Sequence, residues 1–276
     1  MWVAYNTNGL AHHRLDDALR LLADVGYDGV ALTPDVAHLD LETTGERDWE
    51  NAARLCESLK LRVVVETGAR YVLDPRRKHW PNLMTKDEAA AEQRIAYYQK
   101  ALRLAQVLKA ECVSIWSGAS ADASPQDEAA WSRLVARLQR VLDLAAAAGV
   151  ALCFEPEPGM WIDSLARYRE LRRRLSRSDL GTTLDIGHLL VTESGAPHQN
   201  VAEFADSLKN VQLDDARRGV HEHLPLGEGE IDFPPVVAEL KRIGYRGPLA
   251  LELSRDSHRA ARLSEEMLRT VRRWLA

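Results

Sequence analysis

The stretch ALCFEPEPG, residues 151–159, is an apolar run that ends in two glutamates, each followed by proline. Ionised carboxylates are expensive to bury unless they are paired or bound to a cation. Glu155 therefore belongs where a buried strand opens onto a site. Side chains alternate faces along a strand, so Ala151, Cys153 and Glu155 share one face and Leu152 and Phe154 the other. One face is large and apolar, suited to packing beneath helices. The other is small and ends in a carboxylate. That split predicts the inner face of a closed barrel with its polar group at the C-terminal rim.

The same parity recurs in the neighbouring strand candidates. Cys112, Ser114 and Trp116 oppose Val113 and Ile115; Thr183 and Asp185 oppose Leu184 and Ile186. Asn210 and Gln212 oppose Val211 and Leu213; Ala250 and Glu252 oppose Leu249, Leu251 and Leu253. Over the whole chain, short apolar runs at 2–6, 29–32, 62–67, 112–116, 151–155, 181–187, 210–215 and 248–254 alternate with amphipathic runs. The latter lie at 15–26, 46–60, 86–110, 124–149, 164–175, 200–208, 233–244 and 259–275. Gly26, Gly149 and Gly244 stand at expected helix stops. Eight strand–helix units predict an α/β fold, a (β/α)8 TIM barrel running over 1–276 as a single domain. An open doubly wound sheet is the competing architecture. It would carry a glycine-rich phosphate turn after the first strand, which YNTNGLAHHR does not provide.

A formal charge of −5 leaves no basic surplus for nucleic acid. No run approaches the roughly 18 apolar residues of a membrane span, and the opening residues do not read as a signal peptide. Cys56, Cys112 and Cys153 are odd in number and widely spaced, the pattern of buried thiols in a reducing compartment. The expected address is cytoplasmic.

Four consecutive strands thus end in Glu155, Asp185, Gln212 and Glu252, all directed inward at one end. Each acid alone could be a solvated rim residue or a helix cap. Three carboxylates converging on one rim repel strongly without a cation between them, and a divalent metal resolves the conflict.

The motifs FEPEP, LDIGH, NVQLDD, HEHLPLGEGEIDF and LALEL together resemble the xylose isomerase-like TIM-barrel superfamily of sugar isomerases and epimerases. Its near relatives include ketose 3-epimerases, inosose-processing enzymes and hydroxypyruvate isomerases. The resemblance spans the chain and is most specific from about 150 to 255. It implies a metal held by Glu155, Asp185, Gln212 and Glu252. The family more often has His at the strand-7 position; Gln212 is similar to the hydroxypyruvate isomerase pattern. It further implies substrate contacts from His188 and Arg218, with Arg217 as the adjacent alternative, and a substrate-facing or supporting role for Glu157. His221 and His223 read as loop residues that can reach the site. Trp116, facing inward, can form an apolar pocket wall or simply cap the core. All-oxygen ligands suit Mn²⁺ or Mg²⁺, with Co²⁺ or Zn²⁺ as alternatives. A small-molecule sugar or polyol is the implied substrate, with no nucleic acid and no membrane partner. Relatives often pair, which leaves a homo-oligomer open.

The implied chemistry is proton transfer at a carbon next to a carbonyl through a metal-stabilised enediolate, with Glu155 and Glu252 as the acid/base pair on opposite faces. A metal-dependent dehydratase would use the same parts and expel a hydroxyl. An endonuclease IV-like phosphodiesterase and a non-catalytic sugar-binding barrel are further alternatives. The segment GARYVLDPRRKHWPN, 68–82, is too long for a simple connection. It predicts either a solvated basic loop or a lid in which Arg70 meets an anionic group on the substrate.

Overall fold

Alternation decides the packing of every barrel strand. The computed structural model describes residues 1–120 and 122–276. Parallel strands β1 (Trp2–Asn6), β2 (Gly29–Leu32), β3 (Arg62–Glu66), β4 (Cys112–Ile115), β5 (Ala151–Phe154), β6 (Leu180–Asp185) and β7 (Leu208–Leu213) follow one another around the barrel. An antiparallel hairpin, β8 (Asp215–Arg217) and β9 (Val220–Leu224), stands apart from it. Strand β10 (Pro248–Leu251) then pairs with both β7 and β1 and closes the barrel. The predicted (β/α)8 architecture is the observed one.

Outside lie helices α1 (Leu15–Val25), α2 (Glu46–Ser58), α3 (Glu88–Leu108), α4 (Glu128–Ala148) and α5 (Leu165–Leu175). They are followed by α6 (Ile186–Thr192), α7 (His198–Val201), α8 (Phe233–Arg242) and α9 (Ala260–Leu275). Asp87 and Asp127 cap α3 and α4 by accepting the first free backbone N–H groups. Gly26 and Gly149 end α1 and α4 in the left-handed conformation that glycine adopts without strain. Among the described residues, no helix is long and apolar enough to cross a membrane, and the three cysteines are free and buried.

Outward side chains such as Val65, Ile115, Phe154 and Leu213 join the helices in one continuous core. Phe154 stacks on Tyr168 of α5 at 5.6 Å. Inward side chains form a separate small cluster of Trp2, Ala4, Ala31, Val64, Cys112, Cys153 and Ala250. Above it the interior turns polar: Ser114 Oγ and Thr183 Oγ1 are 2.7 Å apart, and Asn210 Nδ2 donates to Glu66 Oε1 at 2.7 Å. The rim residues stand over this polar layer.

Two departures from the sequence reading fall together. The helix expected at 200–208 is replaced by α6, which starts immediately after β6, and by α7 with a short 3-10 turn at 202–204. Asp185 ends the strand and caps the helix at once, accepting from His188 N at 3.0 Å. The turn is tight, and a Cβ on Gly187 would collide with the Asp214 carboxyl. The second departure is the β8–β9 hairpin, which sequence reading took for loop.

Candidate active site

The strand ends bring Glu155, Asp185, Gln212 and Glu252 to one rim. The first three are buried and Glu252 is partly open. Glu155, Gln212 and Glu252 line a cavity of about 530 Å³; Asp185 lies behind it. The imidazole of His188 stands between two of the acids, with Nδ1 3.4 Å from Glu155 Oε1 and Nε2 3.8 Å from Asp185 Oδ2. Burial opposes charge on this ring, but Asp185, Glu157 and Glu155 outweigh it and hold its pKa well above 6.5. Burial also opposes charge on Asp185, yet His188 and His223 keep its carboxyl below the usual range. Glu155 goes the other way, pushed well up by burial against the pull of His188.

Ligand-type atoms within 4.8 Å of one another occur, among the described residues, in three groupings: Glu155–Glu157–His188, Asp185–Asp214–His223 and His188–His221–His223. The groupings share members and form one connected patch of acids and imidazoles, of which Glu155, Glu157, His221 and His223 line the cavity. None contains Glu252, whose Oε1 instead accepts from Asn8 Nδ2 at 2.8 Å. The patch fits a cation: Asp185 Oδ2 and Gln212 Oε1 are buried without any hydrogen-bond partner. Divalent metal is the one common species that takes several buried, converging oxygen donors at once.

The hairpin brings in residues that the sequence left in a loop. His221 and His223 alternate on β9 and both line the cavity. His223 Nδ1 lies 2.5 Å from Asp214 Oδ2. Asp214 is wholly buried, and burial together with Asp185 pushes its pKa well up. Burial, then the neighbouring His188 and His223, lower His221 to about 3, so it is a neutral donor or acceptor. Asp215 fastens the hairpin at both ends, accepting from Ala216 N at 2.9 Å, Gly227 N at 2.9 Å and Ile231 N at 3.0 Å. Arg218 does not join the site here. It is exposed at the hairpin tip, with its guanidinium on the Glu193 and Gly195 carbonyls. Arg217 pairs with Glu222 on the same exposed edge.

The 68–82 segment forms one wall. Arg70, Lys78 and His79 line the cavity, and Arg70 Nε is 3.8 Å from Asp35 Oδ2. Arg76 and Arg77 stay outside, where the Arg76 backbone N–H and the Arg77 guanidinium both donate to Asp74. Buried Arg94 holds this wall, donating to Pro81 O at 2.6 Å and His79 O at 3.2 Å. Trp116 lines the cavity between His79, edge-on at 5.0 Å, and the Arg94 guanidinium at 5.3 Å. Glu157 also lines the cavity, 3.8 Å from His221 Nε2.

Glu66 is the residue that sequence reading passed over. It ends β3, is buried, and lines the cavity floor. Burial and the charge of Glu252 push its pKa to about 8, against hydrogen bonds from Asn210, Gln212 and Ser114 that favour the carboxylate. The signal was present: Val64 and Glu66 share the inward parity.

Comparison with known proteins agrees with this fold. A family model described as the xylose isomerase-like TIM barrel matches residues 19–275. The L-ribulose-5-phosphate 3-epimerase UlaE of Shigella flexneri serotype 5b (strain 8401) is 25% identical over 240 residues, covering 86% of this chain and 81% of that protein. The protein of the same name from Salmonella paratyphi C (strain RKS4594) is 26% identical over the same shares. Among solved structures, a D-allulose 3-epimerase from Methylomonas sp. aligns with a TM-score of 0.81 at 18% identity, covering 99% of this chain and 98% of the other. An L-ribulose 3-epimerase aligns at 0.80 and 18% identity, over 99% and 94%. Over nearly its whole length, the chain belongs to the xylose isomerase-like TIM barrel family.

Proposed function

We propose that the protein is a divalent-metal-dependent sugar isomerase or epimerase that moves a proton at a carbon beside a carbonyl. The observation that carries this is the rim itself: buried acids and an amide oxygen, two of their atoms without partners, converge over a sugar-sized cavity. The sugar epimerases among its relatives support the same reading. Glu155, Asp185, Gln212 and Glu252 would hold the metal, and their oxygen donors favour Mn²⁺ or Mg²⁺. When bound, such a cation supplies Lewis-acid stabilisation of the negative charge that develops on adjacent substrate oxygens.

The chain's own residues supply the rest. Glu155 and Glu252 come from β5 and β10, three strands apart around the barrel, and flank a small substrate between them. One takes the proton and the other returns it on the opposite face, which inverts the centre. His188 and Glu157 orient hydroxyl groups, while Trp116 and the 68–82 wall exclude water. Arg70, Lys78 and Arg255 at the mouth support a substrate bearing phosphate or carboxylate. The free buried thiols support a cytoplasmic address.

The test is incubation with a panel of ketoses, aldoses and inososes in deuterated buffer containing Mn²⁺, followed by NMR. Solvent deuterium entering beside the carbonyl, with an epimeric or isomeric product and loss of both in EDTA, is expected. Full turnover in EDTA, or loss of a hydroxyl instead, defeats the reading. One observation favours a second reading: the His188–His221–His223 grouping is a nitrogen donor set that suits zinc and hydrolysis. Cleavage of abasic DNA by the zinc-loaded protein, without action on ketoses, would select it.

A further inference from the structure

We infer that His79 is a specificity-determining residue whose Nε2 accepts a hydrogen bond from one hydroxyl of the substrate. The inference rests on the sugar reading proposed above and adds a contact from the 68–82 wall. Non-glycine residues take up left-handed backbone sparingly, and such positions cluster at functional segments. This wall has two, Ala69 at φ +43° and His79 at φ +61°. His79 is held there at three points. Its N–H donates to Arg70 O at 2.6 Å, its carbonyl accepts from Arg94 Nη2 at 3.2 Å, and its ring meets Trp116 edge-on at 5.0 Å.

The ring's tautomer follows from its neighbour. His79 Nδ1 lies 2.7 Å from Gly68 O, a carbonyl that can only accept, so the ring proton is on Nδ1. Burial, then the charges of Lys78, Arg94 and Arg70, lower its pKa to about 4 against the Gly68 bond. The ring is therefore neutral near pH 7, and Nε2 carries an open lone pair. Among the described residues Nε2 has no hydrogen-bond partner, and the ring lines the cavity with Arg70, Tyr71 and Lys78. An acceptor of this kind takes a group that brings hydrogen or positive charge. The same three cations argue against a metal ion or an ammonium group here. A phosphate dianion or a carboxylate has no hydrogen to give and is served by Arg70 and Lys78 instead. A hydroxyl is the sugar group that remains. A ring already held by Gly68, Arg94 and Trp116 is set for it before binding.

The experiment pairs a deletion in the substrate with a deletion in the protein. The probe is the compound of the panel above that takes up deuterium fastest, with its monodeoxy analogues at carbons remote from the reacting centre. His79→Asn keeps an amide N–H for Gly68 O and suits left-handed backbone, but it is too short to offer an acceptor where Nε2 stood. With wild type, one analogue should show KM raised about tenfold or more and kcat nearly unchanged, the mark of lost uniform binding. His79→Asn should raise KM for the parent compound by a similar factor and no longer distinguish it from that analogue. A merely structural role would raise KM for parent and analogues alike and leave the discrimination in place; that result overturns the inference. Wild type that treats every analogue like the parent also overturns it. Should His79→Asn fail to fold, nitrogen-15 histidine spectra of the Mg²⁺-loaded wild type decide. Saturation with the parent compound should shift the His79 Nε2 signal and spare Nδ1, and an unmoved Nε2 signal defeats the assignment. Wild type that exchanges no proton on any panel compound removes the sugar reading itself; exchange with undiminished discrimination in His79→Asn removes only this inference.

Discussion

Gln212 gives the rim a neutral oxygen donor where imidazole would offer nitrogen. Gln212→His is expected to retain metal but to move preference toward Co²⁺ or Zn²⁺. Competition titration reads this directly, and an unchanged preference would take Gln212 out of the ligand set. Glu155→Gln and Glu252→Gln should each lower turnover by about 10²-fold or more, as expected for loss of a positioned acid or base. Metal occupancy must be measured in the same samples, because either change also weakens the rim. A variant that stays active at full occupancy is not the base. At this scale the sequence was readable wherever alternation ended in a polar group: Glu155, Asp185, Gln212 and Glu252 all stand on the rim. Glu66 obeys the same rule but is screened by three preceding valines. Asp214 shares the parity of Asn210 and Gln212 but lies just past the end of β7, and His223 had no such signal. They sit where a strand passes into a hairpin, and their nearness depends on how the chain turns, not on period.

Elements were legible in proportion to how regular they are. The barrel strands and the long helices α3 and α4 lie close to the runs that predicted them. The hairpin did not announce itself, because its β9 stretch VHEHL has polar residues on both faces of a short strand. Strand β2 carries a tight constraint: a Cβ on Gly29 would meet Arg62 O at 2.5 Å and the Trp2 ring. Gly29→Ala should cost about 1–3 kcal/mol through overpacking, seen as a lower denaturant midpoint at unchanged slope. The 68–82 wall has a pH limit of its own. His79 Nδ1–H donates to Gly68 O at 2.7 Å, and burial, against that bond, lowers its pKa from 6.5 to about 4. The unfolded chain takes up this proton near pH 6.5, while the folded chain resists until near pH 4. Its contribution is therefore complete above about pH 6.5 and lost as pH falls toward 4, by at most about 3 kcal/mol. His79→Gln keeps a donor for Gly68 and should flatten that part of the stability profile; an unaltered profile would place the acid sensitivity elsewhere.

Taken as a whole, the chain is acidic, with a formal charge of −5, yet its cavity mouth carries Arg70, Lys78 and Arg255. An anionic sugar would be drawn to that mouth against the general repulsion of the surface. Arg70→Ala is expected to raise KM tenfold or more for a phosphorylated or carboxylated substrate, about 1.4 kcal/mol, and to spare neutral sugars. For the anionic substrate, kcat/KM should also fall with added salt. Equal effects on charged and neutral sugars would assign Arg70 to the loop's own structure. The hairpin has a different consequence. It shares no ladder with the barrel, and a single carboxylate, Asp215, clips both of its ends. The segment between Ala216 and Ile231 is therefore anchored at both ends by one side chain, and a change of length at its exposed tip costs little in closure entropy. It carries the two imidazoles that reach the cavity, so descent or laboratory recombination can exchange the recognition surface for another while the barrel, its floor and its ring of acids are inherited intact.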